Sequence, residues 1–163
     1  MTKIKRTAGI IAASAALATG ALAPVAAHAN DTSTTDIGGT IETPNFTMTA
    51  ENPRKVDNLK IVDVTTCATN VQPGEPVRVS WDSWTLTNVD GESVRAGAYE
   101  GGTDATDYPY GDNATRNGED DNARYLSDGE CATGAIGFSD EGFTKELAFN
   151  SSPDDSATWR FDS

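Results

Sequence analysis

Histidine is almost missing from this chain, which has one in 163 residues, His28, placed near the start. If residues 1–29 are removed as a leader, no histidine remains. That excludes a Ser-His-Asp or Cys-His centre, a histidine general base and a histidine metal site, leaving carboxylate chemistry, lysine chemistry or none. Cysteine is nearly as scarce, at two residues with no C-x-x-C spacing, so a dithiol redox centre is not expected. Positive charge is sparse too, with 12 Lys and Arg against 25 Asp and Glu and a formal net charge of −13. Such an acidic surface repels nucleic acid and anionic membranes, so neither is expected as a partner. No segment beyond the leader holds a helical period over even eight residues.

The leader is itself informative. Lys3, Lys5 and Arg6 precede an alanine-rich apolar run from Ala8 to Ala27, which ends in Ala27-His28-Ala29. These are the charged region, apolar region and A-x-A site of a secretory signal peptide. A membrane anchor needs about twenty strongly apolar residues, whereas this run is weakly apolar and broken by Gly20 and Pro24. Cleavage after Ala29 is therefore expected, giving a secreted, extracellular chain free of the membrane. Three of the twelve cations and none of the acids go with residues 1–29, leaving 134 residues at a net charge of −16. That length suits one domain.

In an oxidising compartment Cys67 and Cys131 most simply form one disulfide. Cys131 lies in Tyr125 to Phe138, YLSDGECATGAIGF, the stretch around which the other patterns arrange themselves. Ser127-Asp128-Gly129 supplies a turn, and a strand should begin near Glu130 with Ala132, Gly134, Ile136 and Phe138 on its core face. Gly134 and Gly137 suggest a bulge or a second backbone close by. Leu59 to Ala68 reads as another strand, with Val62 and Val64 in one phase and Cys67 in the other. Both cysteines thus oppose the better apolar positions, which places the bridge on a flank or outer face.

The remaining segments follow the same logic. Residues 30–40 lack an apolar pattern and read as a disordered N-terminal segment before a sandwich spanning 41–163. Phe46 and Met48 mark a short strand closed by Glu51-Asn52-Pro53. Val77, Val79 and Trp81 share a phase that breaks at Asp82-Ser83, where a bulge or a change of sheet would re-aim Trp84 and Leu86. The two tryptophans read as core residues with satisfied indole N–H groups rather than an exposed platform. Asp90-Gly91 signals a hairpin into Ser93 to Ala96. Phe143, Leu147 and Phe149 alternate in a further strand, with Lys145 near a sheet edge, and Trp159 and Phe161 in a last one. Strands between turn clusters argue for an all-β sandwich or barrel, with one disulfide and a long acidic loop.

That loop, 97–122, has almost no aliphatic residues and collects Asp104, Asp107, Asp112, Asp120 and Asp121 together with Tyr108 and Tyr110. Long loops in small domains are often functional, so these residues form the candidate interaction loop. Clustered carboxylates suit calcium, but the best twelve-residue match, from Asn113, ends in Arg124 where a bidentate Glu is needed. No metal or other cofactor is assigned. The tyrosines could face a partner or pack the loop down. Sequons begin at Asn45, Asn113 and Asn150.

Leu126-Ser-Asp-Gly129-Glu130-Cys131, Gly134-x-Ile136-x-Phe138, Leu147-x-Phe149 and Ala157-x-Trp159 together resemble the telokin-like, immunoglobulin-like domain of small secreted bacterial proteins. The resemblance covers Leu59 to Phe161 and departs from the pattern between Val71 and Trp84, which is compressed here. It implies an extracellular, immunoglobulin-like β-sandwich and supplies no catalytic residues. The leading expectation is then a secreted, non-enzymatic, monomeric protein that meets an extracellular protein or cell surface. Calcium or small-ligand binding by the 97–122 loop is the alternative. A carboxylate glycosidase, needing two acids about 5–10 Å apart across a cleft, fits a 134-residue sandwich poorly.

Overall fold

Alternation of buried and open side chains recurs along most of the chain, and it builds eleven strands in the computed structural model, which describes residues 32–97, 108–110, 123–139 and 142–161. They are β1 (Ser33–Asp36), β2 (Thr40–Glu42), β3 (Phe46–Val56), β4 (Leu59–Ala68), β5 (Val77–Ser80), β6 (Trp84–Asn88), β7 (Ser93–Arg95), β8 (Ala123–Leu126), β9 (Cys131–Ser139), β10 (Thr144–Ser152) and β11 (Asp155–Arg160). One sheet has the order β1-β11-β10-β6-β7, a second β2-β3-β4-β9, and β5 and β8 form a short ribbon. The chain is all-β, as its sequence implies.

The core fills the space between the two larger sheets. Val62 and Val64 from β4 and Ile136 and Phe138 from β9 meet Trp84, Leu86, Leu147, Phe149 and Trp159 from the facing sheet. Phe46 and Phe149 make an edge-on contact across the gap at 5.6 Å, and Trp84 lies 5.0 Å from Phe149 and 5.5 Å from Trp159. Aromatic pairs of this kind add about 0.5–1.5 kcal/mol beyond their buried area. The phases expected for β4 and β9 hold. A 3-10 turn at Trp81–Ser83 moves the chain from the β5–β8 ribbon to β6 in the five-stranded sheet, which explains the break at Asp82-Ser83.

Cys67 and Cys131 are direct cross-strand partners on β4 and β9 and are bridged. The register between these strands is unshifted from Leu59↔Ser139 to Cys67↔Cys131, so both cysteines stay on the outer face. The bridge therefore joins neighbours within one sheet. No bulge occurs at Gly134 or Gly137. A second backbone does approach, since Gly97 donates to the Gly137 carbonyl at 3.3 Å.

Several local expectations are corrected. Residues 33–36, read as part of a disordered segment, form β1 and pair in parallel with β11. Backbone hydrogen bonds made at a sheet edge need no apolar pattern, so the sequence gives no cue. The strand expected to close at Glu51-Asn52-Pro53 continues through a bulge between Glu51 and Arg54, where Asn52 takes φ 50°, a conformation asparagine tolerates. A second bulge falls between Thr144 and Glu146 on β10, a central strand, so Lys145 is not at a sheet edge. The extra residue inverts the phase, turning Thr144 inward and leaving Phe143 82% exposed although its spacing to Leu147 and Phe149 suggests the core.

Candidate functional site

The two bulges flank one end of the sandwich, and between them the sheets part into a cleft of about 190 Å³. On β4 the inward phase runs Val64, Val62, Lys60, so a lysine stands where the core would otherwise continue. Lys55 of β3 is its direct cross-strand partner. Side chains opposite one another share a face, so both cations border the cleft. Its floor is Val62 and Leu86, and Ile61, Pro53, Thr144 and Phe161 complete the wall.

Among the described residues the rim carries three cations, Arg54, Lys55 and Lys60, and no acid lines the cleft. Arg54 is held on the outside by Asp63, at 2.7 Å, and also donates to the Asn52 carbonyl at 3.2 Å. Lys60 donates to the Gly142 carbonyl. Lys55 forms no ion pair among the described residues. Next to this end lie Phe143 and Val89, 54% exposed, joined by a hydrogen bond from the Val89 amide to the Phe143 carbonyl. Among the described residues this end thus joins exposed apolar side chains to a rim of basic ones, on a chain whose sequence is strongly acidic.

The opposite end is closed by one carboxylate. Asp155 is 3% exposed and accepts from Thr43 Oγ1 at 2.9 Å and the Asn45 amide at 3.0 Å through Oδ1, and from Asn45 Nδ2 at 2.7 Å and Ser152 Oγ at 3.0 Å through Oδ2. Burial pushes its pKa up, but the Asn45, Thr43 and Ser152 bonds outweigh this and hold it below the ordinary 3.8. It ties the β2–β3 turn to the β10–β11 turn, one from each sheet. All its acceptor sites face donors, so its role is structural. The side chain of Asn45, the first sequon, is engaged in this network.

Of the candidate interaction loop, Asp104, Asp107, Asp112, Asp120 and Asp121 lie outside the described residues. Tyr108 is in the interior, 1% exposed, edge-on to Trp84 at 6.0 Å and donating to Thr66 Oγ1 at 2.9 Å. Burial pushes its phenol up to about 12, opposed by the Thr66 hydroxyl and the nearby Trp84 indole. Tyr110 donates to the Ala123 carbonyl. Both tyrosines therefore pack residues 108–110 against the body. Trp84 is core, as expected, but its indole N–H meets no hydrogen-bond partner among the described residues, whereas that of Trp159 donates to the Gly39 carbonyl at 2.9 Å. Among the described residues no three acids or cysteines gather as a metal site.

The cleft was not legible as a site in the sequence. The signal was present in Lys60, which follows the phase of Val62 and Val64, and in the two-residue turn Asp57-Asn58 that sets Lys55 opposite it.

No family model and no curated protein matches this chain. Among solved structures it is similar to the YjhA protein of Bacillus subtilis, at 14% identity and a TM-score of 0.56 over 78% of this chain and 98% of that one. It is also similar to MPT63, a secreted protein of Mycobacterium tuberculosis, at 15% identity and a TM-score of 0.52 over 79% and 97%. At such identities the likeness speaks for the fold, a small β-sandwich consistent with the immunoglobulin-like class.

Proposed function

We propose that this is a secreted, non-enzymatic β-sandwich that binds an extracellular protein partner through the cleft-bearing end of the molecule. The observation that carries the reading is Phe143, an aromatic ring 82% exposed beside Val89, on a chain whose other large apolar side chains are mostly buried. Exposed aromatic anchors next to a cationic rim are the composition of binding hot spots. The leader pattern, the absence of histidine after it, and the secreted neighbour of the same fold support this reading.

The test compares capture from the native extracellular milieu by the wild-type protein and by the Phe143→Ser, Val89→Ser double variant. A partner held by the wild type and lost from the variant, at equal melting temperature, is the expected outcome. Equal capture by both proteins would remove this end of the molecule from the interaction.

A further inference from the structure

We infer that the Cys67–Cys131 bridge is a thiol-exchange site, opened at the Cys131 sulfur by a small thiol that carries a carboxylate. The inference is independent of the partner reading, because the bridge lies at the end of β4 away from the cleft.

A thiolate attacks a disulfide in line with the S–S bond, and access decides which sulfur it reaches. The register sets one rank of side chains across the outer face of the four-stranded sheet, with Glu42 opposite Thr47, Thr47 opposite Cys67 and Cys67 opposite Cys131. Opposed side chains share a face, so Thr47 stands on the approach to the Cys67 sulfur, and Glu42 behind it repels an anion. Cys67 is half-buried. Cys131 is exposed and lies on β9, the last strand of this sheet, so its sulfur is approached from the side where the sheet ends.

That side is also the cationic one. Arg124 of β8 donates to the Cys131 carbonyl at 3.2 Å, which holds its guanidinium beside the exposed cysteine. The adjacent acid, Glu130, is engaged in the turn, where it accepts from the Ser127 amide at 2.7 Å. A chain with 12 Lys and Arg against 25 Asp and Glu repels an anionic thiolate in general, and here one meets a fixed cation at the reacting sulfur. A carboxylate on the thiol gives the guanidinium a planar partner. The same cation would favour Cys131 as the leaving group if Cys67 were attacked, but the obstruction by Thr47 outweighs an effect of a few-fold.

In the exchange the incoming thiolate forms a new S–S bond to Cys131 and the Cys67–Cys131 bond breaks. Its electron pair leaves with Cys67 as a thiolate, which takes a proton from water. This is a one-for-one modification and not a catalytic dithiol couple. The fold survives the opening, because the β4–β9 ladder runs unshifted from Leu59↔Ser139 to Cys67↔Cys131 and the Ala68 amide donates to the Glu130 carbonyl at 2.9 Å just beyond.

The test incubates the purified, oxidised protein under native conditions with mercaptopropionate or with mercaptoethanol, quenches with excess iodoacetamide and maps both cysteines by peptide mass spectrometry. Early adducts should sit on Cys131 with the alkyl group on Cys67, and circular dichroism should keep the folded spectrum. Thr47→Ala should bring part of the adduct onto Cys67. Per unit of thiolate, Arg124→Gln should slow mercaptopropionate about two- to fivefold, the range for an exposed ion pair, and mercaptoethanol by less, with Arg124→Lys restoring most of the rate. The position of the adduct is read in the wild type and so stands even if a variant folds poorly. Early adducts on Cys67, adducts that form only once denaturant unfolds the chain, or equal rates of mercaptopropionate exchange in wild type and Arg124→Gln would each overturn the inference.

Discussion

Replacing Asp155 by alanine should be among the most damaging single changes in the protein. The carboxylate accepts four hydrogen bonds from two turns belonging to different sheets. Its removal leaves the Asn45 amide and the Thr43, Asn45 and Ser152 side chains without their acceptor. Hydrogen bonds to a charged group contribute about 1.5–3 kcal/mol each, but four that share one anion are not additive. A cost of about 3–4 kcal/mol is expected, which for a domain of this size corresponds to a fall in Tm of about 10 °C. Asp155→Asn preserves the shape and loses one acceptor, so its cost should be about half. Calorimetry or far-ultraviolet circular dichroism between pH 3 and 7 measures both. The folded state holds this carboxyl below its ordinary 3.8, so its contribution is full above that value and is lost as pH falls through the lower folded-state pKa. The gap between wild type and Asp155→Asn should therefore narrow at the acid end. A Tm loss under about 2 °C for Asp155→Ala at pH 7, or a gap that widens with acid, would refute the account of Asp155 as the inter-turn tie.

By ultraviolet absorbance one tyrosine phenol should titrate near 12, and that step should disappear in Tyr108→Phe. Since the folded state raises that pKa, the associated stability is intact below pH 10 and is lost as pH rises toward 12. Trp84→Phe gives up buried ring surface but no hydrogen bond seen among the described residues, so urea denaturation should show a smaller loss than for Trp159→Phe. Trp159→Phe abandons the bond to Gly39 and should cost about 2 kcal/mol or more. Thiol titration under denaturing, non-reducing conditions should find no free cysteine. Reduction should remove about 4 kcal/mol on the chain-entropy model while leaving the near-ultraviolet spectrum of the folded fraction unchanged, because the bridge lies outside the core.

Where alternation ran without interruption the sequence carried the structure. In β4 and β9 the apolar phase located the core face, and the opposite phase of Cys67 and Cys131 located the bridge on the outer one. Where one extra residue entered a strand, the same rule pointed the wrong way. The bulge beyond Thr144 expelled Phe143, and the bulge after Glu51 carried β3 through a proline that reads as a stop. β1 was hidden for a different reason, since its parallel pairing to β11 uses backbone groups and leaves no apolar trace. The cleft arises where the two bulges fall at the same end, a coincidence in space between residues about ninety positions apart. Tyr108 shows a milder case, in which a single aromatic within a polar loop proved to be a core residue supplied from outside the sheets.

The bridge also fixes how this protein would respond to being pulled. Cys67 and Cys131 are covalently joined across neighbouring strands, so tension applied at the two chain ends passes through the sulfurs and never reaches the 64-position segment they enclose. About 220 Å of contour length is thereby withheld from extension. That segment contains β5 to β8, including Trp84 and Leu86, and hence half of the cleft floor. β3, β10 and β11 lie outside the loop and bear the load. A stretched molecule would surrender the cleft by peeling the lysine-bearing hairpin or the last strands from their neighbours, while the loop containing Leu86 stayed covalently closed.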